Sequence, residues 1–236
     1  MKKMKLFCFP FAGGTAYYYN KFKSMLNEKI ILIPVELDGR GAKFNISPKT
    51  TINDVIESIY YDVISQFDER PYMFFGHSMG SLIAYELYYK FSENNIKLPI
   101  HIFFSGCRAP HLMKYREISY LKDDKEFLEV IRRNGGTPEQ FFKHQNLIDL
   151  FLPILKADYQ VVDTYKFTSN REKMKCNITV LKGNTDFEGG YDGLDWSSYS
   201  QGQFQEYVFE GDHFFINNYM TDIAQLLNKY TEIYLD

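Results

Sequence analysis

Six short apolar segments, spread along the whole chain, constrain the fold more than any other feature of the sequence. Each has the length of a β-strand, and most are apolar on both alternating faces, which is typical of strands buried on both sides of a parallel sheet. Strands are predicted at 6–9, 30–35, 72–75, 100–105, 178–181 and 207–209, and segments with helical spacing at 16–27, 52–67, 81–91 and 220–234. The alternation predicts a doubly wound α/β domain with helices on both faces of the sheet.

One long stretch, residues 109–173, interrupts this alternation. It contains no convincing strand, but helical patterns occur at 124–133, 138–142 and 147–165. Such an insertion between two strands is a usual place for a lid over an active site, and we predict a helical lid at 109–173; a helical cap that only covers the sheet is the alternative. Because 236 residues suit one α/β domain, we expect a single domain over 1–236 that carries this insertion.

The overall charge and the cysteines exclude several classes of protein. A formal net charge of −3 and a pI near 6.0 leave no electrostatic footprint for nucleic acid. No apolar run reaches the roughly 18 residues that a membrane helix needs. Cys8, Cys107 and Cys176 have no CxxC spacing, which argues against zinc and against a disulfide framework. We therefore expect a cytosolic protein with no nucleic-acid or membrane partner.

A GxSxG segment provides the strongest candidate for chemistry. Gly76-His77-Ser78-Met79-Gly80 follows one predicted strand and precedes one predicted helix. A sharp strand-to-helix turn holds a serine in a strained conformation, and the flanking glycines remove Cβ atoms that would clash there. The next helix directs its amino-terminal N–H groups toward the site. This context predicts that Ser78 is the nucleophile of a serine hydrolase with an α/β-hydrolase fold.

A serine hydroxyl needs a general base, and this fold places a histidine after the acid in chain order. The chain has five histidines. His77 adjoins the serine, His101 lies in a predicted strand, and His111 and His144 lie in the insertion. Only His213 follows a late strand and precedes the last helix, so it is the predicted base. A buried structural histidine is the alternative at this position.

The acid that orients the base is expected after the fifth predicted strand. Asp186, in Gly183-Asn184-Thr185-Asp186, is the first choice, and Asp192 and Asp195 are close enough to replace it. Asp212 adjoins the predicted base and is better explained as a turn residue. In this scheme the base accepts the serine proton, and the acid fixes the imidazole tautomer.

An oxyanion hole needs two N–H donors. The backbone N–H of Met79, directly after the nucleophile, is one expected donor. The other is expected in the loop Pro10-Phe11-Ala12-Gly13-Gly14, where we assign it to Ala12. The glycine pair would let this loop pass close to a substrate. It also suggests phosphate binding, but no GxGxxG or GKS motif follows, so the nucleotide interpretation is weak.

Several further short motifs accompany these candidates in a fixed order. They are Phe7-Cys8-Phe9-Pro10-Phe11-Ala12-Gly13-Gly14, Gly39-Arg40-Gly41, Gly106-Cys107-Arg108-Ala109-Pro110, Gly135-Gly136-Thr137-Pro138, Leu152-Pro153-Ile154-Leu155-Lys156-Ala157-Asp158-Tyr159, Trp196 and Gly211-Asp212-His213-Phe214-Phe215. In number and order, over nearly the whole chain, they resemble the type II thioesterases that accompany nonribosomal peptide and polyketide synthases.

The resemblance implies hydrolysis of acyl or aminoacyl groups from the phosphopantetheine arm of acyl or peptidyl carrier proteins, which clears misprimed or stalled synthases. It places the triad on Ser78, Asp186 and His213, and we expect a monomer. A thioester is already activated, so no metal or other cofactor is expected. The chain departs from the family at Asp38, where proline is usual, and at Lys156, where arginine is frequent.

Three other functions are compatible with parts of this pattern. The same triad serves carboxylesterases and lipases, because triad chemistry does not distinguish thioesters from oxygen esters. An acyltransferase would pass the acyl group to an amine or alcohol instead of water. A carrier-binding module that has lost turnover is the non-enzymatic hypothesis.

Overall fold

The computed structural model describes residues 2–115, 118–186 and 193–236. Its centre is a six-stranded sheet in the order β2-β1-β3-β4-β5-β6, with every neighbouring pair parallel. The strands are β1 (Met4–Phe9), β2 (Ile30–Pro34), β3 (Tyr72–His77), β4 (His101–Ser105), β5 (Asn177–Gly183) and β6 (Phe204–Phe209). All six predicted strands are present, and the parallel order confirms the α/β prediction.

The strands are apolar on both sides because both faces of the sheet are covered. Along β1, Phe7 and Phe9 pack in one hydrophobic core, whereas Leu6 and Cys8 point to the opposite face and pack in another. Five α-helices are described: α1 (Ile52–Ile64), α2 (Met79–Glu93), α3 (Asp124–Asn134), α4 (Gln145–Asp163) and α5 (Met220–Leu235). Residues of α1 and α2 belong to the first core, and residues of α5 belong to the second.

One predicted helix is shorter and tighter than expected. The segment 16–27 forms a 3-10 helix at Ala16–Phe22 and then turns. Five of the seven residues in AYYYNKF are aromatic or asparagine, and these residue types have a low intrinsic preference for the α-helix. Tyr19 and Phe22 are nevertheless buried, so apolar packing explains the periodicity that suggested a longer helix.

The stretch between β4 and β5 is helical throughout its regular parts. It contains α3 and α4, joined through a short 3-10 helix at Phe141–Lys143 where the sequence predicted a helix at 138–142. Asp123 caps α3 by accepting the Glu126 N–H at 2.8 Å. Phe127 and Ile131 of α3 pack with Leu155 of α4 in a small core of their own. The insertion thus has its own apolar contacts above the sheet.

Within the described ranges, each helix is either too short or too polar to traverse a lipid bilayer. The three cysteines are buried free thiols. Burial raises the pKa of the Cys8 thiol, and it raises the pKa of Cys176 to about 12, so both remain protonated at neutral pH. A cysteine nucleophile is therefore not available at either position.

Candidate active site

The carboxyl ends of parallel strands meet at one edge of a sheet, and ligand sites of open α/β folds form there. The loops after β1, β3, β5 and β6 all leave the sheet at this edge. The candidate residues predicted from the sequence follow these four strands. The topology therefore brings them together although more than 200 positions separate Ala12 from His213 in the chain.

Ser78 occupies a strained turn between β3 and α2. Its φ and ψ are 55° and −118°, in a region that non-glycine residues rarely adopt. A Cβ on Gly76 would lie 2.1 Å from the Gly80 carbonyl oxygen, and one on Gly80 would lie 2.1 Å from the Phe9 carbonyl oxygen. Both motif glycines are thus required by close packing of the backbone, which brings the serine to the sheet edge.

Two further serines hold this turn. The Ser81 hydroxyl donates to the Gly76 carbonyl oxygen at 2.8 Å, and the Ser105 N–H donates to the Ser81 hydroxyl at 3.1 Å. The Ser78 N–H in turn donates to the Ser105 carbonyl oxygen at 2.8 Å. Sequence reasoning missed both residues. Ser81 did carry a signal, since it is a polar residue in an otherwise apolar segment at the start of α2.

Ser78, His213 and Asp186 form one continuous hydrogen-bonded chain. The Nε2 atom of His213 lies 2.9 Å from the Ser78 Oγ, and its Nδ1 lies 3.0 and 3.2 Å from the two carboxylate oxygens of Asp186. An ionised carboxylate only accepts hydrogen bonds, so Nδ1 carries the hydrogen and Nε2 is left to accept from the serine. The acid is buried, with 2% of its side chain exposed, while the imidazole is 20% exposed.

The turns that carry the acid and the base are tied to each other. Asn184 accepts the Gly211 N–H on its side-chain oxygen at 2.9 Å, and the Thr185 N–H donates to the Gly211 carbonyl oxygen at 3.0 Å. A Cβ on Gly183 would lie 2.4 Å from the same carbonyl. These contacts fix the separation between Asp186 and His213, and they assign a positioning role to Asn184 that the sequence analysis did not.

The alternative acids have different surroundings. Asp195 lies in the 3-10 helix Gly193–Tyr199, and its carbonyl oxygen accepts the Ser198 hydroxyl. Asp192 lies outside the described residues. The Asp212 carboxylate accepts the Phe214 N–H at 2.9 Å, which is the turn role predicted for it. Asp186 is accordingly the acid that the structure places on the imidazole of the candidate base.

The other four histidines have separate environments. His77 hydrogen-bonds to the Ser105 hydroxyl at 2.9 Å, and burial, with the nearby His213 as a smaller cause, lowers its pKa well below the ordinary value. His101 is buried in β4, His111 hydrogen-bonds to the Tyr199 hydroxyl, and His144 is exposed at the start of α4. His213 is therefore the histidine whose ring contacts both the Ser78 hydroxyl and a carboxylate and also lines a pocket.

Both predicted oxyanion donors are available. Met79 is the first residue of α2, so its N–H has no acceptor within the helix. Ala12 lies in the turn closed by the hydrogen bond from the Gly14 N–H to the Phe11 carbonyl oxygen, at 2.8 Å. In the described parts of the chain neither the Ala12 nor the Met79 N–H donates a hydrogen bond.

An apolar cavity of about 360 Å³ lies beside these residues. Its hydrophobic walls come from the loop after β1, from the helices of the insertion and from the residue after the base: Phe11, Ile131, Phe141, Phe151, Leu155 and Phe214. A smaller pocket of about 30 Å³ contains Ser78 and His213, and it shares Ala12 with the larger cavity. A long apolar group could thus extend from the serine into the space beneath the insertion.

Two other motif residues have structural roles. The Trp196 indole N–H donates to the Cys107 carbonyl oxygen at 2.9 Å, and its ring stacks on Phe104 with centroids 4.0 Å apart. Lys156 pairs with Asp124 at 2.6 Å and so connects α4 to the start of α3. The lysine that departs from the family pattern thus joins two helices of the insertion through a solvent-exposed ion pair.

The parallel sheet, the strained serine between β3 and α2, and the hydrogen-bonded acid and base together define a serine hydrolase of the α/β-hydrolase fold. A model of the Thioesterase domain family matches residues 4–231. The chain therefore belongs to the thioesterase domain family, and it is a hydrolase that acts on thioesters.

Individual relatives agree with this assignment. The chain is 30% identical over 234 residues to the gramicidin S biosynthesis protein GrsT of Aneurinibacillus migulanus, covering 99% of this chain and 91% of GrsT. It is similar to the structure of ClbQ from the colibactin NRPS/PKS pathway, with a TM-score of 0.91, 29% identity and coverage of 98% and 99% of the two chains. BorB, a type II thioesterase from the borrelidin biosynthetic cluster, follows with a TM-score of 0.86, 26% identity and coverage of 97% and 93%. The predicted fold and the resemblance to type II thioesterases are confirmed.

Proposed function

We propose that this protein hydrolyses acyl and aminoacyl thioesters from the phosphopantetheine arm of acyl or peptidyl carrier proteins, and so edits misprimed or stalled nonribosomal peptide and polyketide synthases. The observation that carries the proposal is the Ser78–His213–Asp186 chain beside an apolar cavity of about 360 Å³. The similarity to ClbQ, which is named as part of the colibactin NRPS/PKS pathway, and to GrsT, which is named as a gramicidin S biosynthesis protein, supports a carrier-bound substrate.

In the acylation step, the Ser78 oxygen attacks the thioester carbonyl while His213 Nε2 takes the hydroxyl proton. The Asp186 carboxylate stabilises the imidazolium that forms, and it does not itself become protonated. The N–H groups of Met79 and Ala12 bind the oxyanion of the tetrahedral intermediate. This intermediate collapses by breaking the carbon–sulfur bond, and the imidazolium returns its proton to the departing thiolate, which leaves as the free thiol.

In the deacylation step, water replaces the serine as the nucleophile. His213 removes a proton from the water, whose oxygen attacks the acyl-enzyme ester. The second tetrahedral intermediate expels the Ser78 oxygen, which recovers its proton from the imidazolium. The products are a carboxylic acid, a free pantetheine thiol and the regenerated enzyme, so neither a metal nor a redox cofactor enters the balance.

We assign the acyl group to the apolar cavity, because burial of each methylene is worth about 0.8 kcal/mol there. The insertion would then act as the predicted lid, since α3 and α4 provide much of the cavity wall. We also propose that the protein acts as a monomer. The buried free cysteines suit the reducing cytosol, where such synthases operate.

A direct comparison of substrates tests the proposal. Purified protein would be given one acyl group on a phosphopantetheinylated carrier protein, on coenzyme A and as a simple oxygen ester. We expect kcat/KM to be highest for the carrier thioester. A clear preference for the oxygen ester would instead identify an esterase, and faster capture of the acyl group by an added amine than by water would identify an acyltransferase. Binding of the loaded carrier without turnover would identify a non-catalytic module.

A further inference from the structure

The buried ion pair between Arg40 and Asp158 takes no part in the chemical steps proposed for Ser78, Asp186 and His213. Arg40 follows β2, and Asp158 lies on α4, 118 positions away in the chain. Two parallel hydrogen bonds of 2.6 Å join the guanidinium to the two carboxylate oxygens. Each side chain is only 2% exposed. The pair thus has the bidentate geometry that gives arginine and carboxylate their strongest and most directional contact.

Both members of the pair also bind the turn that contains Ala12. The Asp158 Oδ2 accepts the Gly13 N–H at 2.7 Å, and the Arg40 Nη1 donates to the Gly14 carbonyl oxygen at 3.1 Å. Two consecutive residues after Ala12 are therefore held through their backbone, one by each side chain. No other side chain in the described ranges hydrogen-bonds to the backbone of Gly13 or Gly14.

These contacts set the conformation of the turn. Residues 11–14 form a β-turn with Gly13 at its third position, and the φ of +79° at Gly13 is the value that a type II turn requires. Type I and type II turns differ by a flip of the central peptide, whose N–H belongs to Gly13. Because Asp158 accepts that N–H, it selects one of the two orientations.

The oxyanion donor lies on the preceding peptide of this turn, so its place depends on how the turn as a whole is held, and the contacts at Gly13 and Gly14 hold it from the far side. The Ala12 N–H shares a peptide plane with the Phe11 carbonyl, which accepts the Gly14 N–H across the turn. Leu155, on the same helix face as Asp158, leaves no room for a Cβ on Gly13, which would lie 2.4 Å from the leucine Cδ2. Helix α4 of the insertion thus fixes this turn both by packing and through Asp158.

Stability alone is a weak explanation for such a pair. Removing two charges from water carries a large desolvation penalty, and replacing a buried ion pair by apolar residues of similar size is often neutral or stabilising. We propose that Arg40 and Asp158 are positioning residues, which hold the Ala12 N–H where the oxyanion forms and thereby connect the insertion to the catalytic step. This inference rests on the proposed function, because it assigns Ala12 to the oxyanion hole.

The test uses two single variants and one double variant. Arg40→Lys keeps the charge but replaces the planar two-nitrogen fork by one ammonium group, so the bidentate contact with Asp158 is lost and kcat should fall with little change in KM. The double variant Arg40→Met/Asp158→Leu removes both charges and should regain thermal stability. Its kcat should nevertheless stay about 100-fold below that of the unmodified protein, the order of loss expected for a misplaced catalytic group. Asp158→Asn should show the same loss of kcat, measured under conditions in which the variant is folded.

A transition-state analogue gives a second readout that a structural role would not change. A long-chain trifluoromethyl ketone forms a tetrahedral adduct with the serine and places an oxyanion in the hole, whereas the matched thioether has no carbonyl. In the double variant the inhibition constant of the ketone should rise by about the same 100-fold factor as kcat falls. The inhibition constant of the thioether should stay unchanged.

The matched control is Glu86→Leu/Arg171→Met, which removes an ion pair of 2.8 Å between α2 and the segment before β5 and leaves the hydrogen bonds to Gly13 and Gly14 in place. It should leave kcat and both inhibition constants unchanged. The inference is overturned if Arg40→Met/Asp158→Leu recovers kcat together with stability, because the pair would then serve only the fold. All variants are compared on whichever acyl ester or thioester the unmodified protein hydrolyses. If the carrier thioester is not the substrate, the unmodified protein will fail to hydrolyse it. The ratios of kcat and of the inhibition constants between variant and unmodified protein would not be affected.

Discussion

His101 and His213 lie at opposite ends of the strands of the same sheet, and their surroundings differ in the features that a catalytic base requires. His101 begins β4, with Nδ1 2.8 Å from the Tyr234 hydroxyl and Nε2 2.8 Å from the Thr179 hydroxyl. Its ring stacks on Phe103 and is 1% exposed. His213 follows β6 at the carboxyl edge and contacts a carboxylate and a serine instead. Each ring satisfies both nitrogens, but only one has a charged partner and an adjoining pocket.

The difference follows from the partners and not from the residue type. Burial lowers the pKa of His101 to about 3, and its two hydroxyl partners carry no charge that would offset the burial. That ring therefore stays neutral and bonds β4 to β5 and α5. In the proposed mechanism, by contrast, the Asp186 carboxylate stabilises the charge that His213 acquires when it takes the serine proton. We therefore expect His213, which contacts the buried Asp186 carboxylate and the Ser78 hydroxyl, to act as a base, and His101 not to.

The largest expected effect comes from replacing each ring by glutamine, which retains hydrogen-bonding groups but cannot take up the proton. His213→Gln should lower kcat by about 10⁴-fold or more, as loss of a triad base does in other serine hydrolases. His101→Gln should leave kcat unchanged at a temperature where the variant is folded. Steady-state kinetics with one thioester substrate would measure both. Equal losses of kcat in the two variants would mean that His213 has no catalytic role that His101 lacks.

A second prediction concerns the carboxylate that distinguishes the two sites. Asp186→Asn should lower kcat by about 10³ to 10⁴-fold, because an amide can donate to Nδ1 and so favour the wrong tautomer. The matched variant Asp195→Asn should retain the full rate, since the carboxylate that contacts Nδ1 of His213 is that of Asp186. If Asp195→Asn proved the more damaging of the two, the acid would be assigned wrongly.

The third and smallest effect is on stability and concerns His101. Its folded-state pKa of about 3 lies below the ordinary value of 6.5, so between these values the unfolded chain binds a proton that the native protein does not. The stability that the neutral ring contributes above pH 6.5 is therefore lost as the pH falls toward 3. Between pH 7 and 4.5 the unmodified protein should lose about 2 to 3 kcal/mol more than His101→Gln.

Urea unfolding at the two pH values would measure this difference. Tyr234→Phe is the matched control, because it removes one hydroxyl partner and retains the buried imidazole. It should keep the steep pH dependence of the unmodified protein. An equally steep loss in His101→Gln would show that other groups account for the acid sensitivity.

Local pattern made the sheet and the positions of the three proposed triad residues predictable. Apolar runs identified all six strands, and Ser78, Asp186 and His213 each follow a strand in the order that the fold requires. The 3-10 helix at Ala16–Phe22 was harder to predict, because buried aromatic residues imitate the spacing of an α-helix. Its true length depends on packing against the sheet, which no local pattern records.

The contacts that support the site could not be predicted for a different reason. Asn184 lies in a turn motif, but its partner Gly211 is 27 positions away. Arg40 and Asp158 each belong to a recognised motif, and nothing in either motif indicates that they meet behind the turn that holds Ala12. Such pairs are set by tertiary structure, so a single sequence gives the residues without their partners.

The most direct test of the account asks whether the acyl group passes through Ser78. The protein would be mixed with an acyl-loaded carrier protein, quenched with acid within milliseconds to seconds, and measured by intact-mass and peptide mass spectrometry. We predict one acyl adduct on the peptide that contains Ser78, and neither adduct nor hydrolysis above background in Ser78→Ala. Ser198→Ala, which removes an exposed hydroxyl elsewhere, should behave like the unmodified protein. Hydrolysis at the full rate by Ser78→Ala, or an adduct on another residue, would contradict the account.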